Sequence, residues 1–225
     1  EDQIGEITEA VVTTPANFSQ EAREATMAAA KQAGLNVKYI INEPTAAALY
    51  YAFKSGDELS GIYAVYDLGG GTFDVSVIQV SGQDVDVLAS NGVARLGGDD
   101  FDHACQEIVS KKHQEEHGSE LEGDDYLIND AEEEKKSLSS RKRVTAKVGR
   151  QVIEVRREEF EDAISHLVAQ TEMLCEATIE EAGVEVSDIR GVFLAGGSTR
   201  IPAVQESIKR VFGQEPISTV NVDEV

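Results

Sequence analysis

Apolar and β-branched residues fill 9–14 and stop at Pro15, after which Ser19 opens an alanine-rich stretch that closes at Gly34. This order predicts a strand followed by a helix. A second apolar run at 37–41 meets Asn42-Glu43-Pro44, where proline suits the first turn of a helix carried through Ala46, Ala47, Ala48, Leu49 and Phe53. Residues 54–60 are polar and aperiodic, the best candidate for a boundary between two parts of the molecule. Beyond it, 62–66, 72–80 and 85–90 read as three strands of an antiparallel meander, with tight turns at 67–71 and 81–82. Helical periodicity then covers 99–118 and 129–140. A hairpin turned at Gly149-Arg150 lies within 144–155, and a long helix covers 158–182. An apolar strand at 191–195, the turn Gly196-Gly197-Ser198-Thr199-Arg200 and a helix over 201–212 complete the pattern, which is that of an α/β protein.

Composition narrows the function. The 42 acidic against 20 basic residues give a net charge of −22, which repels polyanions and argues against nucleic acid or an anionic membrane as partner. No apolar run approaches the roughly 18 to 20 residues of a membrane span. Cys105 and Cys175 lack metal-ligand or disulfide spacing, so a reducing cytoplasm is the expected compartment.

Two glycine-rich turns carry candidate chemistry. Gly69, Gly70 and Gly71 between two strands allow a tight turn and leave no Cβ to block an approaching phosphate. Thr72 adds a hydroxyl, while Asp67 and Asp74 supply carboxylates that can hold magnesium through its waters. A plain hairpin turn with acidic neighbours accounts for the same letters, and neither a Walker loop nor a Rossmann fingerprint is present. Gly196, Gly197, Ser198 and Arg200 sit between strand and helix, where a helix N-terminus would present N–H groups to an anion or to nucleotide edges; a helix C-cap or an ordinary strand-to-helix turn fits as well. His113-Gln114-Glu115-Glu116-His117 matches a zinc motif by letter, without an evident third ligand.

Taken with Ile41-Asn42-Glu43-Pro44-Thr45-Ala46-Ala47-Ala48, Val11-Val12-Thr13-Thr14-Pro15-Ala16 and Leu96-Gly97-Gly98-Asp99-Asp100-Phe101-Asp102, these blocks closely resemble the DnaK-type, or heat-shock protein 70, chaperone family. The resemblance implies an actin-like ATPase (ribonuclease H-like) α/β fold. It implies the later half of lobe I at 1–58, one subdomain of lobe II at 59–96 and 166–225, and an inserted α+β subdomain at 97–165. It further implies that Gly69, Gly70, Gly71 and Thr72 hold the phosphates of ATP or ADP. Asp67 and Asp74 would serve magnesium through water, with Asp67 and Thr72 acting in catalysis beside Glu43, which would orient the attacking water or accept its proton. The segment 132–139 resembles the family's adenosine helix, which places Glu132 and Lys135 at the ribose and Lys136 and Ser139 at the adenine. Gly98, Gly196, Gly197, Ser198, Arg200 and Asp223 complete the implied nucleotide contacts. A solvated helix face with salt pairs to the preceding glutamates remains open for Lys135 and Lys136.

Also implied are potassium, a J-domain co-chaperone, a GrpE-like nucleotide exchange factor, unfolded polypeptide clients and a role in the stress response. A chain running from Glu1 to Val225 is expected to be a piece of such a protein. The family's first phosphate loop and catalytic lysine would lie upstream and its peptide-binding domain downstream, so weak nucleotide binding and no turnover are expected of the piece. A filament-forming actin-like ATPase and a partner-binding fragment that hydrolyses nothing are the competing classes.

Overall fold

The computed structural model describes residues 9–56, 58–121 and 125–217. Strand β1 (Ala10–Thr14), helix α1 (Gln20–Gln32), strand β2 (Val37–Asn42) and helix α2 (Glu43–Ser55) follow in order, with β1 and β2 paired in parallel. Ser19 caps α1 by accepting the Ala22 N–H at 3.3 Å, and α1 has no fully buried residue. Helix α2 ends on Gly56 in the left-handed conformation.

Strands β3 (Ser60–Leu68), β4 (Phe73–Ser81) and β5 (Asp84–Val93) form the expected antiparallel meander. Strand β8 (Ile189–Ala195) adds itself parallel to β3, giving the order β5-β4-β3-β8. The meander was legible in the sequence; the pairing of the late strand with the β3 edge was not.

Alternation in β3 assigns the two faces of this sheet. Tyr63 and Val65 pack with Ala47, Ala48 and Tyr51 of α2, whereas Ala64, Tyr66 and Leu68 belong to the main core. Both faces are covered, which is why the strand reads as one continuous apolar run. The main core is closed by helix α5 (Arg157–Ala182) and helix α6 (Pro202–Phe212).

Between β5 and α5 the chain builds helix α3 (Gly98–His117), helix α4 (Ile128–Ser140) and the hairpin β6 (Arg143–Val148) and β7 (Gln151–Arg156). Phe101, Cys105 and Val109 of α3 meet Ala131 and Leu138 of α4 and Ile153 of β7 in the same continuous core. Cys105 and Cys175 are buried and unpaired; burial pushes the Cys105 thiol up to about 12, so it is inert as a nucleophile. No helix among the described residues is long and apolar enough to cross a membrane.

Candidate functional site

The β3–β4 turn fixes the first part of the site. Its register pairs Leu68 with Phe73 and Asp67 with Asp74, so the two carboxylates stand directly opposite on neighbouring strands. Burial pushes Asp67 up to about 6, with the Asp74 charge adding to the rise. Asp74 is raised by burial too, against a counter-pull from the Asn17 amide, which donates to its Oδ1 at 3.2 Å. Glu43, at the head of α2, is driven up to about 7, mainly by burial and then by the Asp67 and Asp74 charges. The three acids line one cavity of about 180 Å³ together with Thr13, Pro15 and Ala16.

The turn itself is held by its carbonyls. Gly69, Gly70 and Gly71 accept from the N–H groups of Gly98 (2.9 Å), Asp99 (2.7 Å) and Leu96 (3.3 Å). The start of α3 therefore spends its first N–H groups on the turn. None of Gly69, Gly70 and Gly71 has a positive φ. What these glycines contribute is the missing Cβ: at Gly70 the nearest obstacle to one is Asp99 Oδ1, 3.5 Å away.

A second cavity, of about 530 Å³, opens on the other side of the turn. It gathers Gly69 and Gly70, Gly98, Asp99 and Asp102 of α3, Glu132, Lys135, Lys136 and Ser139 of α4, and Gly197, Ser198, Arg200 and Ile201. Four segments far apart in sequence thus meet in one hollow. Helical spacing brings Glu132, Lys135, Lys136 and Ser139 to one side of α4, and the i,i+4 pair Lys136–Glu132 closes at 3.0 Å. Lys136 is exposed and also meets Glu133 at 3.1 Å, so the salt-paired helix face expected for it is present. Lys135 is different: it is buried, pairs with Asp102 at 2.7 Å and donates to the Gly98 carbonyl at 3.0 Å. Burial raises the Asp102 carboxyl, Lys135 pulls it back, and Glu132 and Asp99 push it further up.

Of the readings left open for the Gly196 segment, a strand-to-helix turn is present and a helix N-terminus is not. Residues Gly197–Arg200 form a separate 3-10 turn, and α6 starts only at Pro202, which has no N–H to spend and suits a first helical turn. Gly196 has φ +81° and passes so close to the end of β3 that a Cβ would sit 2.3 Å from the Leu68 carbonyl oxygen. Ser198 fastens the turn to the glycine loop by donating to the Gly69 carbonyl at 3.0 Å. Gly71, Thr72 and Gly196 adjoin the cavities without lining either, and Asp223 lies outside the described residues.

Asn17 was not singled out in the sequence, and Asp102 stood there only as the last residue of the block 96–102, without a role. Asp102 sits four residues after Gly98, a spacing that returns to the same helix face and could have marked it as part of the site. His113 is buried with its Nδ1 3.0 Å from the Ser119 carbonyl, and no group of three or more metal-ligating side chains occurs among the described residues.

The chain matches the family described as Hsp70 protein over residues 1–225. It is 42% identical over 221 residues to the chaperone protein HscA homolog of Histophilus somni (strain 129Pt), covering 98% of this chain and 35% of that protein. It is 40% identical over 225 residues to chaperone protein HscA of Salmonella newport (strain SL254), covering 100% of this chain and 36% of that protein. The chain belongs to the Hsp70 family, whose members generally use ATP and ADP with magnesium. It spans 35% to 36% of the length of these curated relatives.

Proposed function

We propose that this chain forms much of the ATP-binding and ATP-hydrolysing domain of a molecular chaperone, and that the larger cavity receives the nucleoside. The observation that carries this reading is the convergence of Gly70, Gly98, Glu132, Lys135, Ser139 and Ser198 on that one hollow. In this reading the β- and γ-phosphates lie along Gly69, Gly70 and Gly71, where no Cβ intrudes, and beside Thr72, which adds a hydroxyl donor. Glu132 and Lys135 meet the ribose, Lys136 and Ser139 the adenine, and Gly196, Gly197, Ser198 and Arg200 close the opposite wall, with Gly98 and Asp223 completing the contacts.

The donor set suits a hydrated magnesium ion: Asp67 and Asp74 face each other across two strands and can accept from its waters. Bound there, magnesium would neutralise phosphate charge. Glu43 orients the attacking water or accepts its proton, and a carboxyl lifted to about 7 suits the second of these tasks. Positioning and charge neutralisation do most of the work in such a transfer. Potassium is a further expected ion of the site.

We assign 1–58 to the later half of lobe I, 59–96 and 166–225 to one subdomain of lobe II, and 97–165 to its inserted α+β subdomain, within an actin-like fold. Gly70, Gly71 and Thr72 are exposed, so this chain by itself holds nucleotide weakly. In the longer protein, nucleotide state is coupled to unfolded polypeptides, with a J-domain co-chaperone and a GrpE-like exchange factor as partners in a cytoplasmic stress response.

Photolabelling with an azido-adenine nucleotide, followed by peptide mapping, tests the assignment. ADP-protected labels within 132–140 and 196–201 are expected; labels elsewhere, or labels that ADP does not protect, reject it.

A further inference from the structure

Asp102 is the one acidic side chain counted as buried among the described residues, at 6% exposure. A carboxylate so placed needs compensation. It receives that compensation from Lys135, whose ammonium lies 2.7 Å from Oδ1. Lys135 is itself 8% exposed and reaches across from α4 to donate at 3.0 Å to the carbonyl of Gly98, the first residue of α3. Without the carboxylate, a long flexible side chain beside a roomy cavity would have a single carbonyl to hold it. The packing beneath is tight: a Cβ on Gly98 would come within 2.9 Å of Ser198 Oγ and 3.0 Å of Lys135 Nζ. Lys135, Gly98 and Ser198 therefore pack together in one wall, and Ser198 is in turn bonded to the glycine loop at Gly69.

We infer that Asp102 is a positioning residue for the nucleotide: by its ion pair it pins the Lys135 ammonium against Gly98, so that the ribose side of the cavity is formed before the ligand arrives. The ammonium donates one hydrogen bond, to the Gly98 carbonyl, and meets Asp102 as an ion pair, so it keeps donor capacity for the ligand. Preorganisation of this kind raises affinity by removing an ordering cost from the binding step. The inference rests on the nucleoside reading of the larger cavity. It differs from a merely structural tie between α3 and α4, which would lower stability while leaving affinity untouched.

The test is a double-mutant cycle on the chain: Asp102→Asn, Lys135→Met and the two together, each titrated calorimetrically with magnesium ADP and melted in parallel. A positioning role predicts that Asp102→Asn weakens binding by about tenfold or more, and that it costs nothing further once Lys135→Met is present. Unchanged affinity in Asp102→Asn, or losses that multiply in the double variant, overturns the inference. A parent chain that does not bind at all overturns the nucleoside reading instead, which separates the two failures. Should Asp102→Asn fail to fold, the parent decides by lysine ammonium NMR. A slowly exchanging Lys135 signal that shifts on addition of magnesium ADP supports the role; a fast-exchanging or unresponsive one overturns it.

Discussion

The Tyr51 hydroxyl donates to the Leu194 carbonyl at 3.0 Å and accepts from the Leu194 N–H at 3.1 Å, tying α2 to β8 across 143 positions of sequence. Phe193 lies between the rings of Tyr51 and Tyr63, with centroids 4.4 and 4.9 Å away. Through this joint the helix that presents Glu43 is registered against the strand that runs into Gly196 and the 3-10 turn. One buried hydroxyl thus links the acidic cavity to a wall of the larger one.

Removing that hydroxyl strands a buried backbone donor and acceptor together. Tyr51→Phe is expected to cost about 1–3 kcal/mol in urea denaturation, the range for orphaned buried polar groups. A loss below about 0.5 kcal/mol would show that water replaces the hydroxyl.

Gly97 is extended, with φ −175°, so any residue can adopt its backbone. Its constraint is proximity: a Cβ would lie 2.4 Å from the Gly70 carbonyl oxygen. Gly97→Ala should push the glycine loop away from α3, costing about 1–3 kcal/mol of stability by overpacking. It should also weaken nucleotide binding, read by calorimetry beside a thermal melt.

Glu43 gives a pH signature. Its carboxyl rises from 4.5 to about 7, so the folded chain binds this proton more tightly than the unfolded chain does. Stability from this group is therefore highest below the ordinary carboxyl range and falls as pH climbs toward 7. Glu43→Gln should stabilise the magnesium-free chain at pH 8 by about 1–2 kcal/mol after allowance for partial exposure, with the gain gone near pH 4. Equal stability of the two chains at both pH values would contradict the burial argument.

How much of this was legible in sequence depended on the range of the forces involved. The two acids beside the glycine turn were legible, but their cross-strand pairing was not, because the apolar run stops at Tyr66 while β3 continues through Asp67 to Leu68. The four α4 residues came from the resemblance of 132–139 to the family's adenosine helix, and helical spacing explains why they share one side of it. Strand ends were harder: β3 begins two residues before its apolar run, at Ser60 and Gly61, where polar character and a φ of +109° hide the strand. The Asp102–Lys135 and Tyr51–Leu194 contacts join residues 33 and 143 positions apart, and no period in the chain encodes them. The late start of α6 reflects a 3-10 turn that satisfies its own backbone before Pro202.

Lys136 is exposed and occupied by Glu132 and Glu133. A planar guanidinium would cover a purine face better than a lysine stem does. Lys136→Arg should therefore tighten ADP binding by roughly two- to fivefold, with little change in melting temperature. No gain in affinity would place the base away from this side chain.

The most direct test is calorimetric titration of the chain with magnesium ADP, beside Gly70→Asp, which puts a carboxylate into the glycine loop next to Asp99. Saturable one-to-one binding by the parent, abolished in the variant, is the predicted result. A folded parent that gives no binding heat at millimolar ADP, or a variant that binds as tightly as the parent, would contradict the account.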